Sequence, residues 1–460
     1  MLVRLRPVVR ATPTANGLHL RGWASACTIT GGAGLWKVWQ RLEPQLRAGV
    51  AEDALGVPDG TAPAVRAAVE LVLEQLREHD MLWTSRPWGA DAPEPEIRDW
   101  LESAAPDPVG AWRRLRSAVA EVTGSGPLAE AVVRSARATG LSARLRPGTG
   151  SEVRLSAGGF VVQAGCGADV GYVLPATGSS SSFDTEVITR TAARLGLVED
   201  AAGVLATLVG CAAVHRLLCA LIGLDDPAGA LVARTGPLRS SHHPLLAGPP
   251  PQNVLEALTD EELGPAGPPV LGSQVPVNLA TCDGALGIGT TADDARLDAA
   301  LKALKSDGVI GVGDLHARGA ALRVAARHVP GEPADPAGWT TDRAARRWWK
   351  ALTVRFGQPA VVDVRELARG AYRAEVRQGQ QVLAWAVEAT AARAVAFAGL
   401  AATGHAQAGR DGTAHVHGAG PGDEELQHVL ERLPGVRITP LPLDAELTCA
   451  GLVAYAVDAR

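Results

Sequence analysis

The stretch Val122-Thr123-Gly124-Ser125-Gly126-Pro127-Leu128-Ala129 carries G-x-G-x-x-A between a run with strand character and a run with helix character. Such a turn lets backbone N–H groups at a helix N-terminus meet a phosphate. A working dinucleotide site also needs Asp or Glu at the end of the next strand, to hold a ribose. That place offers Ser142, Arg144 and Arg146, and Pro127 removes one N–H donor. Gly124, Gly126 and Ala129 are therefore expected to form a vestigial turn without a nucleotide. The run Ser179–Ser182 reads as a solvated loop ahead of a helix that Asp184 could cap. His242 and His243, beside Ser240 and Ser241, would point apart in a strand and have no third ligand at a set spacing. His415 and His417 would point one way in a strand and could form a metal pair; His405 and His428 lie in or beside the same Gly-rich part, and a solvated loop is the plainer reading. Trp348 and Trp349, between Arg346, Arg347 and Lys350, could stack on bases; a helix that packs one Trp and exposes Arg is the commoner use.

Composition bounds the function class. The chain has 460 residues with net charge −5, which fits several globular domains and gives no support for a broad basic surface for nucleic acid. Only Lys37, Lys302, Lys305 and Lys350 are lysines, a bias that points to genome composition rather than to guanidinium chemistry. The six cysteines are scattered, without a C-x-x-C pair, so a structural zinc is not expected. Cys211 and Cys219 sit in an apolar helical run as small hydrophobes. The first residues lack the apolar core of a signal peptide. The longest apolar run, around Gly203–Val214, breaks at His215 and Arg216 and reads as too short to span a bilayer. The expectation is a reduced, cytoplasmic protein without a membrane or nucleic-acid partner.

The elements that must position these residues fall into three parts. In the first 85 residues, Val3–Arg10, Gly17–Arg21 and Ala24–Thr30 read as strands. Leu35–Leu46 has helical spacing, Val50–Leu55 is a short helix at most, and a helix from Pro63 to Glu78 carries Val65, Val69, Val72 and Leu76 on one face. Met81–Trp83 closes the unit as a strand, which makes a winged-helix module. Residues 86–107 are Pro- and acid-rich and read as a linker. Residues 108–245 alternate strands and helices as an α/β domain, including helices over Thr185–Leu195 and Ala201–Ile222. Residues 246–272 read as a Pro/Gly-rich arm. Residues 273–460 read as an α/β or α+β domain with helices near Asp293–Lys305, Asp342–Thr353, Ala389–Thr403 and Glu424–Leu433. A hairpin is expected across Gln378-Gly379-Gln380.

A winged-helix unit is usually read as DNA-binding, its last helix offering basic residues to a groove. Here that helix holds Glu70, Glu74 and Glu78 against Arg66 and Arg77, and would repel phosphate. The cleft between strand and helix can instead accept an extended peptide by strand addition. The residues expected to meet such a peptide are Ala26, Cys27, Thr28, Ile29 and Thr30 on the strand, and Arg66, Val69, Val72, Leu73, Leu76 and Arg77 on the helix.

The segments RLRPVVR, NGLHLRG, ACTITGG, LWKVWQRLEPQLRAG and AVRAAVELVLEQLREHDMLW together resemble the RiPP recognition element, the PqqD-like domain that binds leader peptides. GSGPLAEAVVRSARATG, Phe160-Val161-Val162 and GCAAVHRLLCALIG resemble a degenerate ThiF-like domain of Rossmann type. DGALGIGTTADDARLDAALKAL and AVEATAARAVAFAGLAATG are weakly similar to patterns in YcaO-like domains. Over about residues 1–245 the chain resembles the ocin-ThiF-like partner proteins of azole-forming peptide pathways, thiopeptide biosynthesis included. The resemblance implies capture of a precursor leader and its presentation to a separate YcaO cyclodehydratase, which uses ATP to form azolines. It implies no catalytic residue, metal or cofactor on this chain; ATP would sit on the partner enzyme. Homodimerisation stays open. Two other readings stay open with it, a ThiF-like adenylating enzyme and a winged-helix DNA-binding regulator.

Overall fold

A computed structural model describes residues 2–51, 54, 61–85, 88–148, 150–178, 183, 185–197, 203–226, 229–248, 250–335 and 337–458. The serine run 179–182 and Asp184 lie outside the described residues. The chain forms two compact units, Met1–His242 and His243–Arg460. The mixed α/β multidomain architecture is as expected, with several separate sheets.

The first unit opens with β1 (Leu2–Leu5), β2 (Arg10–Thr14), β3 (Gly17–Arg21), β4 (Ala26–Thr30), α1 (Gly34–Ala48), β5 (Val50–Ala51), α2 (Pro63–Glu78) and β6 (Leu82–Ser85). Strands β5-β1-β6 form one small sheet and β2-β3-β4 another. Leu35, Trp39 and Leu46 of α1 and Val72, Leu73 and Leu76 of α2 close one core with Cys27 and Ile29. Full burial of a side chain of this size contributes about 1.5–3 kcal/mol. Val50–Ala51 is a strand pairing with Leu2–Val3, not the short helix expected there. Two β-branched or small residues next to a sheet edge pair more readily than they nucleate a helix.

Of the stretch 86–107 expected as a linker, the described residues 88–107 include a packed helix. This is α3 (Pro95–Ala104), whose Leu101, Glu102, Ser103 and Ala104 are buried. The Pro-acid pattern that suggested a linker is a helix start, with Pro95 in the first turn and Glu96 beside it. Arg6 anchors the segment. Its guanidinium donates to the Glu102 and Ala105 carbonyls at 3.0 and 2.9 Å and pairs with both Asp80 carboxylate oxygens.

The rest of this unit comprises α4 (Pro108–Ser117), β7 (Val119–Gly124), α5 (Gly126–Ala138), β8 (Ser142–Pro147), β9 (Glu152–Ala157), β10 (Phe160–Cys166), β11 (Val170–Val173), β12 (Thr177–Gly178), α6 (Thr185–Leu195), α7 (Gly203–Ile222), β13 (Ala230–Thr235) and β14 (Leu238–His243). The sheet order is β14-β13-β11-β10-β9-β7-β8, with β12 on β10. β7, α5 and β8 make a parallel crossover unit. β9, β10, β11 and β13 pair antiparallel, so the Rossmann-type expectation holds for that one crossover and not for the remaining described pairings. The helix α7 is longer than the apolar run suggested and is apolar enough, by length and composition, to cross a membrane. Leu205, Val209, Val214, Leu217 and Ile222 instead pack it into the core of this unit. Arg216 is accommodated there by the Gly229 carbonyl at 2.9 Å.

The second unit is α+β. It contains α8 (Val254–Leu258), β15 (Val270–Leu271), β16 (Asn278–Cys282), β17 (Ala285–Gly289), α9 (Ala292–Ala303), β18 (Val309–Val312), α10 (Gly313–Ala326), β19 (Glu332–Pro333), α11 (Ala337–Thr340) and α12 (Arg343–Lys350), the last running into a π-helical turn at Ala351–Arg355. There follow β20 (Val361–Ala368), β21 (Ala371–Gln378), β22 (Gln381–Glu388), α13 (Ala391–Ala408), β23 (Ala414–His415), α14 (Glu424–Glu431), β24 (Ile438–Leu441), α15 (Ala445–Cys449) and β25 (Leu452–Val457). The sheets are β15-β16-β17, β18-β25-β24 and β19-β20-β21-β22-β23. The hairpin forms as expected, Gly379 taking φ +58° in its turn. The stretch 246–272 is no free arm, because Leu246, Ala257, Leu258 and Ala266 are core residues.

Candidate functional site

β4 is an edge strand. Among the described residues it pairs only with β3, in the register Gly17↔Thr30 to Arg21↔Ala26. Its side chains alternate: Cys27 and Ile29 are buried, while Ala26, Thr28 and Thr30 are exposed. The backbone follows the same parity. Gly22 N–H donates to Ser25 O at 2.8 Å and Gly31 N–H to Asn16 O at 3.0 Å, one at each end of the ladder. Antiparallel pairing alternates every second residue, so Cys27 and Ile29 direct their backbone groups to β3. Ala26, Thr28 and Thr30 direct theirs to the open edge. On the outer face, Thr28 Oγ1 meets His19 Nδ1 at 2.9 Å. The opposite edge, β2, carries Pro13, which removes a donor and blunts it.

The helix α2 lies against β4 but presents less than its sequence suggested. Val72, Leu73 and Leu76 are core residues, Leu73 being 5% exposed. They support the cleft from beneath instead of lining it, as do Cys27 and Ile29. The reason is the apolar stripe: its C-terminal half is consumed by packing on α1 and the sheet. Val69 is partly buried, Val65 is exposed, and Arg66 and Arg77 are half-buried and exposed respectively. These four residues, with Ala26, Thr28 and Thr30, are what the surface offers a ligand. Glu70, Glu74 and Glu78 are exposed on the same helix.

The turn Gly124–Ala129 has the strand-to-helix geometry expected of it, with Gly126 at φ +72°. A Cβ at Gly124 would meet Val153 Cγ2 at 2.8 Å, so glycine there serves close packing on β9. Arg144 and Arg146 project from the exposed strand β8, and Arg146 pairs with Glu121 at 2.6 Å.

In the second unit a cavity of about 590 Å³ gathers residues far apart in the sequence. His316, His415 and His417 line it, with Asp294, Asp298, Lys302, Lys305 and Arg393. His415 stacks on Trp385, with ring centroids 5.0 Å apart and planes 10° apart. His417 lies 5.3 Å from His316, centroid to centroid. Burial depresses the pKa of all three imidazoles. His415 falls to about 4 through burial and then Lys302. His417 falls well below its ordinary value through burial, then His316 and Arg323. His316 falls through burial, against the pull of Asp298. All three are neutral at pH 7. The two histidines noticed in the sequence therefore line one cavity, but they face different partners. Among the described residues no group of three or more His, Cys, Asp or Glu is arranged to hold a metal ion.

Beneath the cavity wall lies a buried ion cluster. Arg323 bonds Asp423 at 2.7 Å through both terminal nitrogens and Glu388 at 3.1 Å, with a further bond to the Val387 carbonyl. Glu388 also accepts from Gly418 N–H at 2.7 Å, which ties the cluster to the segment after β23 that carries His417. The remaining sequence candidates take structural roles. His243 is buried against Asp260 at 2.9 Å, which raises its pKa. Trp348 packs inward, with Arg347 over its ring at 4.5 Å.

No protein-family model matches the sequence, and no curated protein matches it. Solved structures of E. coli MccB are similar to part of the chain. The complex of MccB with AMPCPP and MccA is 9% identical, covering 53% of this chain and 97% of that one, with a TM-score of 0.39. The complex with ATP is 8% identical, with the same coverage and a TM-score of 0.38. The complex of the microcin C7 biosynthetic enzyme MccB with N-formylated MccA is 8% identical, again with that coverage and a TM-score of 0.38.

Proposed function

We propose that this chain captures the leader of a ribosomally made precursor peptide as an added strand on β4. It then presents the peptide to a separate YcaO-type cyclodehydratase, which forms azolines with its own ATP, as in thiopeptide-type biosynthesis. The observation that carries the proposal is the open edge of β4, where the backbone groups of Ala26, Thr28 and Thr30 face outward and no side chain of the strand is apolar and exposed beyond Ala26. Main-chain pairing gives such a site affinity, and neighbouring side chains give it selectivity. Val65 and Val69 supply apolar contact, and Arg66 and Arg77 supply cations for leader carboxylates. The exposed glutamates of α2 oppose DNA binding. The G-x-G-x-x-A turn is vestigial in this reading, since its neighbouring strand presents arginines where a ribose-binding acid belongs.

Thr28→Pro tests the site. At an edge position whose N–H faces outward, proline leaves the β3–β4 ladder intact. It removes one donor and places a ring in the path of the incoming strand, costing about 2 kcal/mol of binding, roughly 30-fold in affinity. Fluorescence polarisation with a labelled leader peptide measures it, with circular dichroism as the folding control. Unchanged affinity in a folded Thr28→Pro protein moves the site elsewhere. Leu73→Glu is not a useful probe, because it buries a charge in the core and unfolds the module.

A further inference from the structure

The cavity in the second unit owes nothing to the β4 edge, and most of its polar groups have assigned partners. Each of its two carboxylates is engaged through one oxygen, Oδ2. Asp294 accepts from Thr291 N–H at 3.1 Å and Thr290 Oγ1 at 2.7 Å, as the cap of α9. Asp298 accepts from Ile288 N–H at 2.9 Å and Lys302 at 2.7 Å. Two of the three histidines are fixed as donors. His316 Nδ1 accepts from Val312 N–H at 3.0 Å, and His417 Nδ1 accepts from Ala419 N–H at 3.3 Å. A neutral imidazole with Nδ1 accepting carries its proton on Nε2, so each ring has one N–H left to give.

Two cations are uncommitted or nearly so. Lys305 is exposed at the rim and pairs with no carboxylate among the described residues. Arg393 comes only within 3.8 Å of Glu388, which Arg323 already holds. The groups left over include two imidazole N–H donors and two cations, set against the second oxygens of Asp294 and Asp298. Leu297, Leu301, Ile310 and Phe397 give the wall an apolar part, and Thr290 and Ser306 add hydroxyls. A volume of about 590 Å³ lies within the ~300–1,000 Å³ range of small-molecule sites.

We infer that this cavity binds a small organic anion, a carboxylate or phosphate carried on an apolar or aromatic body. The anionic head meets Lys305, Arg393 and the free imidazole N–H groups, and the body lies against Phe397 and the leucines. A carboxylate or phosphate accepts several charge-assisted hydrogen bonds, which matches two cations and two imidazole N–H groups without a carboxylate of their own. A neutral ligand of the same shape would leave the cations unpaired, and a cationic one would oppose them.

The test uses the full chain and three probes of one shape: 1-naphthyl phosphate, 1-naphthylacetate and the neutral 1-naphthylacetamide. Calorimetry or naphthalene fluorescence reads binding. The expected result is saturable one-site binding of at least one anion at or below about 1 mM, with the amide at least about tenfold weaker. Lys305→Glu and Arg393→Glu, both at the surface, should each weaken that anion by about tenfold while leaving the circular dichroism spectrum unchanged. Tighter phosphate assigns the cavity to phosphate monoesters, and tighter acetate assigns it to carboxylic acids. Absence of saturation for both anions, equal binding of the amide, or full affinity in both folded variants overturns the inference.

Discussion

Arg323→Met is expected to lower the stability of the second unit by about 3–5 kcal/mol, the cost of leaving buried charge without its partner. Arg323 is 1% exposed, and the carboxylates it holds, Glu388 and Asp423, are 0% and 7% exposed. Methionine fills much of the volume but gives neither carboxylate a donor. Gly418 N–H still reaches Glu388, and Arg393 stands 3.8 Å away, so the loss falls mainly on Asp423. The triple variant Arg323→Met, Glu388→Gln, Asp423→Asn should recover a large part of the loss, because no unpaired charge remains. Urea unfolding of the three proteins measures this. Equal midpoints for the wild type and Arg323→Met would show that the cluster carries no net stabilisation. The cluster also secures Gly418, next to His417, so loosening it should loosen the cavity wall.

Acidification should destabilise the same unit between pH 6.5 and about 5. His415, His316, His417 and His405 all have pKa values lowered in the folded state. Above pH 6.5 these groups are neutral folded or unfolded, and the shift has no effect. As pH falls below 6.5 the unfolded chain takes up protons first, and the folded state loses stability. For His415, with its folded value at about 4, the loss is roughly 2 kcal/mol by pH 5. The charges facing it are Lys302 and Arg327, which disfavour its protonation, and Asp298, which favours it. His243 runs the other way. Its raised pKa gives stability that is complete below 6.5, so it does not affect the slope in this window. His415→Gln should flatten the pH dependence of the urea midpoint between pH 6.5 and 5. A slope as steep as that of the wild type would remove His415 from the account.

Local rules read well where one signal dominated. Pro63 in the first turn and an apolar stripe located α2, and a glycine turn located the β21–β22 hairpin. The parity of β4 was legible as an alternative, and burial decided it in favour of exposed Ala26, Thr28 and Thr30. Two readings failed because tertiary packing overrode composition. Glu94-Pro95-Glu96 looked like linker and begins α3. Leu73 looked like a groove residue and belongs to the core. The helix expected over Ala201–Ile222 does form, as Gly203–Ile222 around a buried Arg216. The cavity was legible only as the pair His415 and His417. Its other polar members come from α9, the loop after it, α10 and α13, and no spacing rule connects them.

Amide hydrogen exchange on the β4 edge tests the central claim most directly. In the free chain the amides of Cys27 and Ile29, already paired with β3, should be protected, and those of Ala26, Thr28 and Thr30 should exchange fast. Saturation with the leader peptide should slow exchange at the outward-facing amides by at least about tenfold, since each then donates across a new ladder. Cys27 and Ile29 should change little. Fast exchange persisting at Ala26, Thr28 and Thr30 in the saturated complex, or new protection on β2 instead, would contradict strand addition at β4.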